Sequence, residues 1–414
     1  MNVLIRQATI ADPRSVWNGQ QADILIENGR IVQIGPGIEP GNHKMIEEPN
    51  LVASPGFTDV FSHFGDPGLE FKETLETGAE AAKAGGFTRV FAMPNTKPAI
   101  HSKSQVEYIV QKSKNLPVNV LPIGAISQHC EGKDLAEMYD MHASGAVAFS
   151  DGLHPVQNSQ VLLKALQYVR SFSGVIIQVP DEENLSRTGL VNEGIISTQL
   201  GLPGKPVLAE TLMLARDIEL LRYTGSKLHV TGISTAASVE LVRRAKNDGL
   251  NLTCSVTPYH LWFSDEDLVE YDTNLKVNPP VRTPADREAL RVAMLDGTVD
   301  CIASHHQPHE WDSKVCEFEY ARYGMEGLES SFGATATILP QLSNQKLSEL
   351  FSINAASIFG LDLPAIKEGE KANITLFSRG AESVFTEDKI KSRSKNNAFI
   401  NKTLHAVIIS AFGY

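Results

Sequence analysis

Cysteine is scarce in this sequence, and long apolar runs are absent. The four cysteines in 414 residues include no CxxC pair. Their scatter indicates neither a disulfide framework nor a thiolate zinc site, and it fits a reducing compartment. No run of about 18 uninterrupted apolar residues occurs, and the first residues lack a basic segment followed by an apolar core. We therefore expect a cytoplasmic protein that neither spans a membrane nor is exported.

Positive charge is also in short supply. Lys and Arg number 37 against 49 Asp and Glu, which leaves a formal net charge of -12. Without a basic stripe to neutralise phosphates, we expect neither nucleic acid nor an anionic membrane as a partner. The hydrophobic share of 42% and the charged share of 21% indicate a folded chain with one large domain and a smaller appendage.

Short apolar runs alternate along the chain with longer segments of helical spacing, a pattern typical of parallel βαβ units. Eight β-like runs occur: Pro55–His63, Phe87–Asn95, Val118–Ser127, Gly145–Asp151, Gly174–Val179, Leu228–Ser234, Leu252–His260 and Val299–His305. Helical spacing is clearest at Glu70–Ala84, Gln160–Ser171, Glu210–Tyr223 and Ala237–Asn247. Because eight βα units close a barrel, we predict an α/β fold, a (β/α)8 TIM barrel over residues 54–364.

Both ends of the chain carry further β-like runs: Val3–Ile10, Asp23–Ile34, Asn373–Phe377 and His405–Ser410. The second run contains Asn28-Gly29, a strong signal for a tight hairpin turn. Chain termini often lie close together. We therefore predict that residues 1–53 and 365–414 form one small β-sandwich-like subdomain.

Several strand-end motifs resemble those of one family. PGFTDVFSHFGDPGLEFKET at 55–74 is similar to the first-strand signature of long-chain dihydroorotases, within the amidohydrolase superfamily, where the pattern is PGF-x-D-x-H-x-H-L-R-x-PG. Other matches follow in the family's order: FAMPNT, GAVAFSDG, LHVTGISTAASVELVRRAK, LTCSVTPYHL, NLKVNPPVR, DCIASHHQPHE and YGMEGLES. The resemblance covers almost the whole chain.

The resemblance implies an activity and a cofactor. The family opens and closes a ring between carbamoyl aspartate and dihydroorotate in pyrimidine biosynthesis, using two zinc ions at the carboxyl ends of the barrel strands. Barrel enzymes keep their chemistry at that face.

Most of the implied metal ligands are replaced in this sequence. Phe61, Val179 and Gly232 stand where the family has metal-binding histidines, and His305 stands where it has the catalytic Asp. The substrate-gripping Arg of the family falls on Gly65. Hydrolysis of this kind needs a metal-activated water and a carboxylate to move its proton. We therefore expect no cofactor at full occupancy and a pseudoenzyme with a degenerate zinc site.

Other positions of the family's site survive. Asn95, Asn278 and His309 match substrate-contacting positions, although the two amides could equally cap nearby backbone. His63, Asp151 and His305 could form a residual one-zinc site; the alternative is that all three are hydrogen-bonded residues without a metal. Because neighbouring strand residues face opposite sides, we expect His306 to pack behind its strand and His309 to line the barrel mouth.

Three hypotheses for function follow. The first is a catalytically silent dihydroorotase homologue, a homo-oligomer with a structural role in assembly, whose partner by family resemblance is aspartate transcarbamoylase. The second is an active or weakly active zinc-dependent dihydroorotase, or another cyclic amidase that hydrolyses a ring C–N bond. The third is a ligand-binding module that keeps Asn95, Asn278 and His309 as a pocket without chemistry.

Overall fold

The amino-terminal segment forms five strands of a seven-stranded sheet. The structure, a computed structural model, describes residues 2–413. The five strands are β1 (Val3–Ile10), β2 (Gln21–Glu27), β3 (Arg30–Gly35), β4 (Lys44–Ile46) and β5 (Leu51–Pro55). The predicted hairpin turn joins β2 to β3: Asn28 and Gly29 both have left-handed backbone, with φ of 49° and 74°. Two such residues in a row give the turn that matches the twist of a two-stranded hairpin.

Eight parallel strands form the barrel, in sequence order around it. They are β6 (Phe57–Ser62), β7 (Phe87–Ala92), β8 (Asn119–Gly124), β9 (Ala148–Phe149), β10 (Ile176–Gln178), β13 (Leu228–Thr231), β14 (Leu252–Val256) and β15 (Cys301–Ile302); a two-stranded ribbon of β11 (Val191–Asn192) and β12 (Gly204–Lys205) lies between β10 and β13. Each predicted β-like run contains one barrel strand. The strands are buried on both faces, which is why their sequences are nearly continuous in apolar residues.

The barrel closes between β6 and the residues that follow β15. Ser62 and His306 form a parallel bridge, and the backbone N–H of His63 donates to the carbonyl of His306 at 2.8 Å. The buried carboxylate of Asp59 accepts from the backbone N–H of Ser304 at 2.6 Å and from the hydroxyls of Ser304 and Ser62. Burial raises the pKa of Asp59 although these bonds favour its charge. Asp59 therefore ties the first strand to the last.

Thirteen helices are described, and most of them surround the barrel. They are α1 (Leu75–Ala84), α2 (Lys103–Lys112), α3 (Met138–Ala143), α4 (Ser159–Val169), α5 (Glu183–Ser186), α6 (Ile195–Leu200), α7 (Val207–Thr224), α8 (Ala236–Asn247), α9 (Pro258–Trp262), α10 (Pro284–Asp296), α11 (Leu328–Ile338), α12 (Asn344–Ser348) and α13 (Asn354–Phe359). The hydroxyls of Thr74, Thr235 and Thr283 cap α1, α8 and α10 at their starts. No described helix combines the length and apolarity that crossing a bilayer requires.

The carboxyl-terminal segment completes the first sheet. Strands β16 (Ile374–Val384) and β17 (Thr403–Phe412) pair with each other, and β16 pairs antiparallel with β5, so both ends of the chain share this sheet as predicted. Between the two strands, residues 385–402 leave the sheet and pack against the barrel, with Phe399 against Phe263 and Trp262. The division into two domains at residues 54 and 364 stays a prediction.

Candidate functional site

A cavity of about 650 Å³ opens at the carboxyl ends of the barrel strands. Its lining includes Phe61, His63, Asn95, Val179, Asn278, His305 and His309, together with Lys72, Lys97, Glu310 and Arg322. Seven of the residues singled out in the sequence therefore meet at one mouth. This is the face where barrel proteins place their binding and catalytic groups.

The imidazole of His305 lines this mouth and packs against two other replaced positions. Its ring lies 4.8 Å from the ring of Phe61, centroid to centroid, and against the backbone of Gly232. A Cβ atom at Gly232 would stand 2.6 Å from Cε1 of His305, closer than side chains tolerate. The glycine, with φ of 71°, leaves the space that the imidazole takes. Phe61, Gly232 and His305 thus form one packed unit, called here the strand-end plug.

Hydrogen bonds hold the plug from below. The hydroxyl of Thr231 forms a hydrogen bond with Nε2 of His305 at 2.7 Å and accepts from the hydroxyl of Ser255 at 2.7 Å. Ser255 in turn lies 3.0 Å from Nε2 of His229. Burial, with smaller contributions from His260 and His229, lowers the pKa of His305 to about 3. His305 is therefore a neutral imidazole whose Nε2 is engaged in a hydrogen bond.

The carboxylate of Asp151 is turned toward backbone. Oδ1 accepts from the N–H groups of Ile126 and Ser127, both at 2.9 Å, and Oδ2 accepts from the hydroxyl of Ser127 at 2.5 Å. Burial raises the pKa of Asp151 to about 6, against the effect of these bonds. Asp151 is not among the residues that line the cavity.

His63 has one ring nitrogen engaged and one without a partner. The N–H at Nε2 donates to the carbonyl of Asn95 at 2.8 Å, whereas Nδ1 is buried and has no hydrogen bond. Burial is the main reason that the pKa of His63 falls to about 4, and Lys72 and His306 add to the effect. A neutral imidazole with a free acceptor nitrogen therefore borders the cavity.

The predicted one-zinc site at His63, Asp151 and His305 is not assembled. Within residues 2–413, no three His, Cys, Asp or Glu side chains are grouped so that they could hold a metal ion. The reason is local: Asp151 binds the loop after β8, and His305 binds Thr231. In the structure the three side chains are hydrogen-bonded to other groups and do not converge on one point. The residual one-zinc site stays a prediction.

The two amides among the predicted substrate contacts are committed to other bonds. The amide of Asn95 donates to the carbonyl of Asp151 at 3.0 Å and accepts from the N–H of Leu153 at 3.0 Å. Asn278 accepts from the buried Nζ of Lys205 at 2.7 Å and donates to Asp181 at 3.2 Å. Both residues line the mouth and also brace its walls.

His309 lines the mouth, as predicted, and holds a lysine. Its Nε2–H donates to the carbonyl of Tyr323 at 2.7 Å, and Nδ1 faces the Nζ of Lys72 at 3.4 Å. Burial and the charge of Lys72 lower the pKa of His309 to about 3. His306, by contrast, is fully buried behind the strand between Glu73 and Glu326, 3.6 Å from each. Sequence reasoning placed His306 correctly but did not find its two carboxylates.

Comparison with known proteins gives the family. The family described as "Dihydro-orotase-like" matches residues 51–238. The dihydroorotase of Syntrophus aciditrophicus (strain SB) is 38% identical over 414 residues, covering 99% of this chain and 97% of that protein. The dihydroorotase of Acetivibrio thermocellus is 40% identical, covering 96% of this chain and 94% of that protein. The chain belongs to the dihydroorotase family.

Solved structures agree on the fold of this dihydroorotase homologue. L-Hydantoinase (dihydropyrimidinase) from Arthrobacter aurescens superimposes with a TM-score of 0.86 at 21% identity, covering 100% of this chain and 97% of the other. Dihydropyrimidinase from Brevibacillus agri NCHU1002 gives 0.85 at 19% identity, covering 100% and 94%. At these identities the likeness shows the barrel with its added sheet and no more.

The mouth of this dihydroorotase homologue does not fit a pair of zinc ions. Zinc takes Cys, His, Asp or Glu ligands, and Phe61, Val179 and Gly232 have no such donor. His305 has its Nε2 bonded to the hydroxyl of Thr231, and the carboxylate of Asp151 bonds to backbone and to Ser127. Of the positions that the resemblance assigns to metal, His63 and His305 line the cavity, each with one ring nitrogen engaged in a hydrogen bond.

Sequence reasoning missed the cations of the mouth. Lys72, Lys97 and Arg322 come from three separate loops, after β6, β7 and β15. The one signal available was position, since each basic residue follows a barrel strand and the carboxyl ends of all eight strands meet at one face.

Proposed function

We propose that this dihydroorotase homologue is catalytically silent and serves a structural role in an assembly. One observation carries the proposal: the strand-end plug of Phe61, Gly232 and His305 fills the place where the resemblance puts metal ligands and the catalytic Asp.

The residues at the mouth lack the groups for ring hydrolysis. The reaction requires an activated water and a base that takes up its proton, and a positioned base contributes about 10²–10⁴-fold in rate. His305, at the position of the base, has its Nε2 in a hydrogen bond with Thr231 and has a pKa far below neutrality. Gly65 supplies no guanidinium for a substrate carboxylate. Binding and chemistry are both weakened by the same set of replacements.

The test measures zinc content and turnover together. We expect protein purified without chelator to hold well under one zinc per chain and to show no turnover of dihydroorotate or carbamoyl aspartate. The matched variant carries F61H, V179H, G232H and H305D, which return four donors to the mouth. We expect that variant to bind zinc. Near-stoichiometric zinc in the natural chain, lost in His63→Ala together with turnover of dihydroorotate, would overturn the proposal.

A second candidate function is an active zinc-dependent dihydroorotase or a related cyclic amidase. The observation in its favour is that relatives 38–40% identical over nearly the whole chain are named dihydroorotase. The same turnover measurement decides between the two, because the active enzyme must release carbamoyl aspartate in proportion to its bound zinc.

For the assembly role we propose aspartate transcarbamoylase as the partner, with the chain itself a homo-oligomer in the cytoplasm. The support is the family resemblance. Size-exclusion chromatography of the chain with transcarbamoylase from the same cell should show co-elution at micromolar concentration. Clean separation of the two proteins would count against the partner and leave the zinc and turnover result untouched.

A further inference from the structure

Three cations border the barrel mouth without a carboxylate partner. Lys72, Lys97 and Arg322 line the cavity, and within residues 2–413 none of them makes an ion pair shorter than 4 Å. The Nζ of Lys72 has His309 as its hydrogen-bond partner, at 3.4 Å. The side chains of Lys97 and Arg322 have no recorded hydrogen bond in the same range. These three residues are called here the mouth cations.

The net charge of this chain is -12, so carboxylates outnumber basic groups. Buried lysines elsewhere in the fold all have acceptors: Lys205 contacts Asp181 at 2.9 Å, and Lys276 and Lys314 each donate to two backbone carbonyls. A half-buried lysine such as Lys72 is costly to charge without a counter-ion. A ligand that supplies negative charge would offset that cost.

The mouth cations line one cavity, and the charges of Lys97 and Arg322 both act on Lys72. Burial lowers the pKa of Lys72, and the positive charges of Arg322 and Lys97 lower it further, whereas Glu310 opposes them. Glu310 is the one carboxylate that lines this cavity, so three fixed cations face one fixed anion. The excess of two positive charges matches a phosphate group, which carries about -1.5 to -2 at pH 7.

The size of the cavity also indicates a ligand. His63 lines it, but the Nδ1 atom of His63, which has no hydrogen-bond partner, is itself buried, so a ligand in the cavity does not reach that atom. The volume of about 650 Å³ is that of a small-molecule site and leaves room beyond one phosphate.

We propose that the barrel mouth binds a small phosphorylated molecule without a metal ion, with the phosphate held by Lys72, Lys97 and Arg322. The proposal rests on the proposed function, because a silent mouth is free for a ligand other than the ring substrate. Arg322 offers a planar fork that suits phosphate oxygens, and the two lysines act as point charges. His309 is a positioning residue, since it fixes the Nζ of Lys72.

Calorimetric titration of the full chain in EDTA tests the site with glycerol 3-phosphate as the probe. We expect saturable binding with a Kd below about 1 mM, and at least about tenfold weaker binding of glycerol and of malonate. K97M and R322Q change exposed side chains and should each weaken binding about 5–10-fold, by loss of a charge-assisted contact. The control variant K164M removes an exposed lysine on α4 and should bind as the natural chain does.

Three outcomes would overturn the proposal. They are no binding of glycerol 3-phosphate at about 10 mM, equal binding of malonate, and equal weakening by K164M and by R322Q. The EDTA keeps this result separate from the zinc and turnover assay. A chain that hydrolyses dihydroorotate refutes the silent function, whereas a metal-free chain that ignores the phosphate ester refutes only the phosphate site.

Discussion

At the scale of single residues, the strand-end plug joins positions that are far apart in the chain. Gly232 and His305 fit together because Gly232 lacks the Cβ atom that would clash with the ring of His305. Sequence comparison identified both as replacements of family residues. It could not show that the two changes fit each other, because side-chain clearance depends on the path of two neighbouring strands.

The plug predicts a large penalty for Gly232→Ala. Gly232 and Gly225 both have left-handed backbone, with φ of 71° and 60°, but a Cβ at Gly225 meets nothing within 4 Å. Gly225→Ala should cost about 1–2 kcal/mol, from backbone strain alone. Gly232→Ala should cost roughly 1–3 kcal/mol more, because it also overpacks against His305. Urea denaturation of the two variants measures the difference.

A double-mutant cycle assigns that extra cost to His305. In the His305→Ala background, the opposing ring is gone. Gly232→Ala should then destabilise the protein by little more than Gly225→Ala does. If the extra cost of Gly232→Ala relative to Gly225→Ala is the same in this background, the ring of His305 does not cause the strain.

The sequence left open whether Asn95 and Asn278 contact a substrate or brace the fold, and their hydrogen bonds bear on that question. Their partners lie on other elements: Asp151 and Leu153 for Asn95, Asp181 and Lys205 for Asn278. Bonds that span 50 residues or more follow from the fold and cannot be read from local pattern. The structure shows bracing contacts for both amides, which sequence pattern weighed equally with substrate binding.

At the scale of elements, strand order was predictable and the carboxyl-terminal segment was not. Each of the eight β-like runs contains a barrel strand because parallel strands buried on both faces are continuously apolar. The strands are shorter than the runs, since the carboxyl end of each run leaves the sheet for the mouth. Residues 385–402, rich in Lys, Ser and Asn, were expected to stay with the terminal sheet. They pack on the barrel through buried contacts that their polar composition conceals.

A buried charge cluster attaches this segment to the barrel. Glu73 accepts from the hydroxyl of Ser392 and the N–H of Arg393, and Glu326 accepts from Asn397. His306 lies between the two carboxylates, with the ring of Phe64 at its edge. His306 therefore links the start of α1, the closure of the barrel and the carboxyl-terminal segment.

The cluster predicts a loss of stability in mild alkali. Burial opposes the charge of His306, but Glu326 and Glu73 outweigh it and raise its pKa to about 9 from an ordinary 6.5. A raised pKa in the folded state gives stability that is complete below pH 6.5 and is lost as the pH rises through about 9. The contribution is at most about 3 kcal/mol, from 1.36 kcal/mol for each pKa unit. Denaturation midpoints at pH 6.5–9.5 measure it.

His306→Gln provides the control for this pH dependence. The variant keeps hydrogen-bonding capacity but cannot take up a proton, so its disadvantage relative to the natural chain should be largest near pH 6.5 and shrink toward pH 9.5. Two nearby groups also titrate: burial lowers the pKa of His63 to about 4, outside the range measured, and burial beside Glu326 raises the pKa of Glu329 to about 9, within it. A disadvantage that stays constant with pH would show that His306 is neutral in the folded protein.

At the scale of the whole molecule, stability should be independent of zinc. A ligand that binds only the folded state at 100 times its Kd adds about 2.7 kcal/mol, which is several degrees in Tm for a chain this long. Because the mouth offers no group of three ligands, we expect EDTA and a modest excess of zinc each to shift Tm by less than about 1 °C. Differential scanning calorimetry checks this. Zinc should raise the Tm of the four-donor variant. An equal rise in the natural chain would contradict the conclusion that its mouth does not fit zinc.

The pairing of β5 with β16 has a consequence for synthesis on the ribosome. Strand β5 emerges early, yet its neighbour β16 lies at the far end of the chain, beyond every barrel strand. During translation one edge of the nascent sheet therefore waits, unpaired and open to other chains, until the polypeptide is nearly finished. Binding of chaperones to that edge during translation, more than any step in forming the barrel, would determine the yield of correctly folded protein.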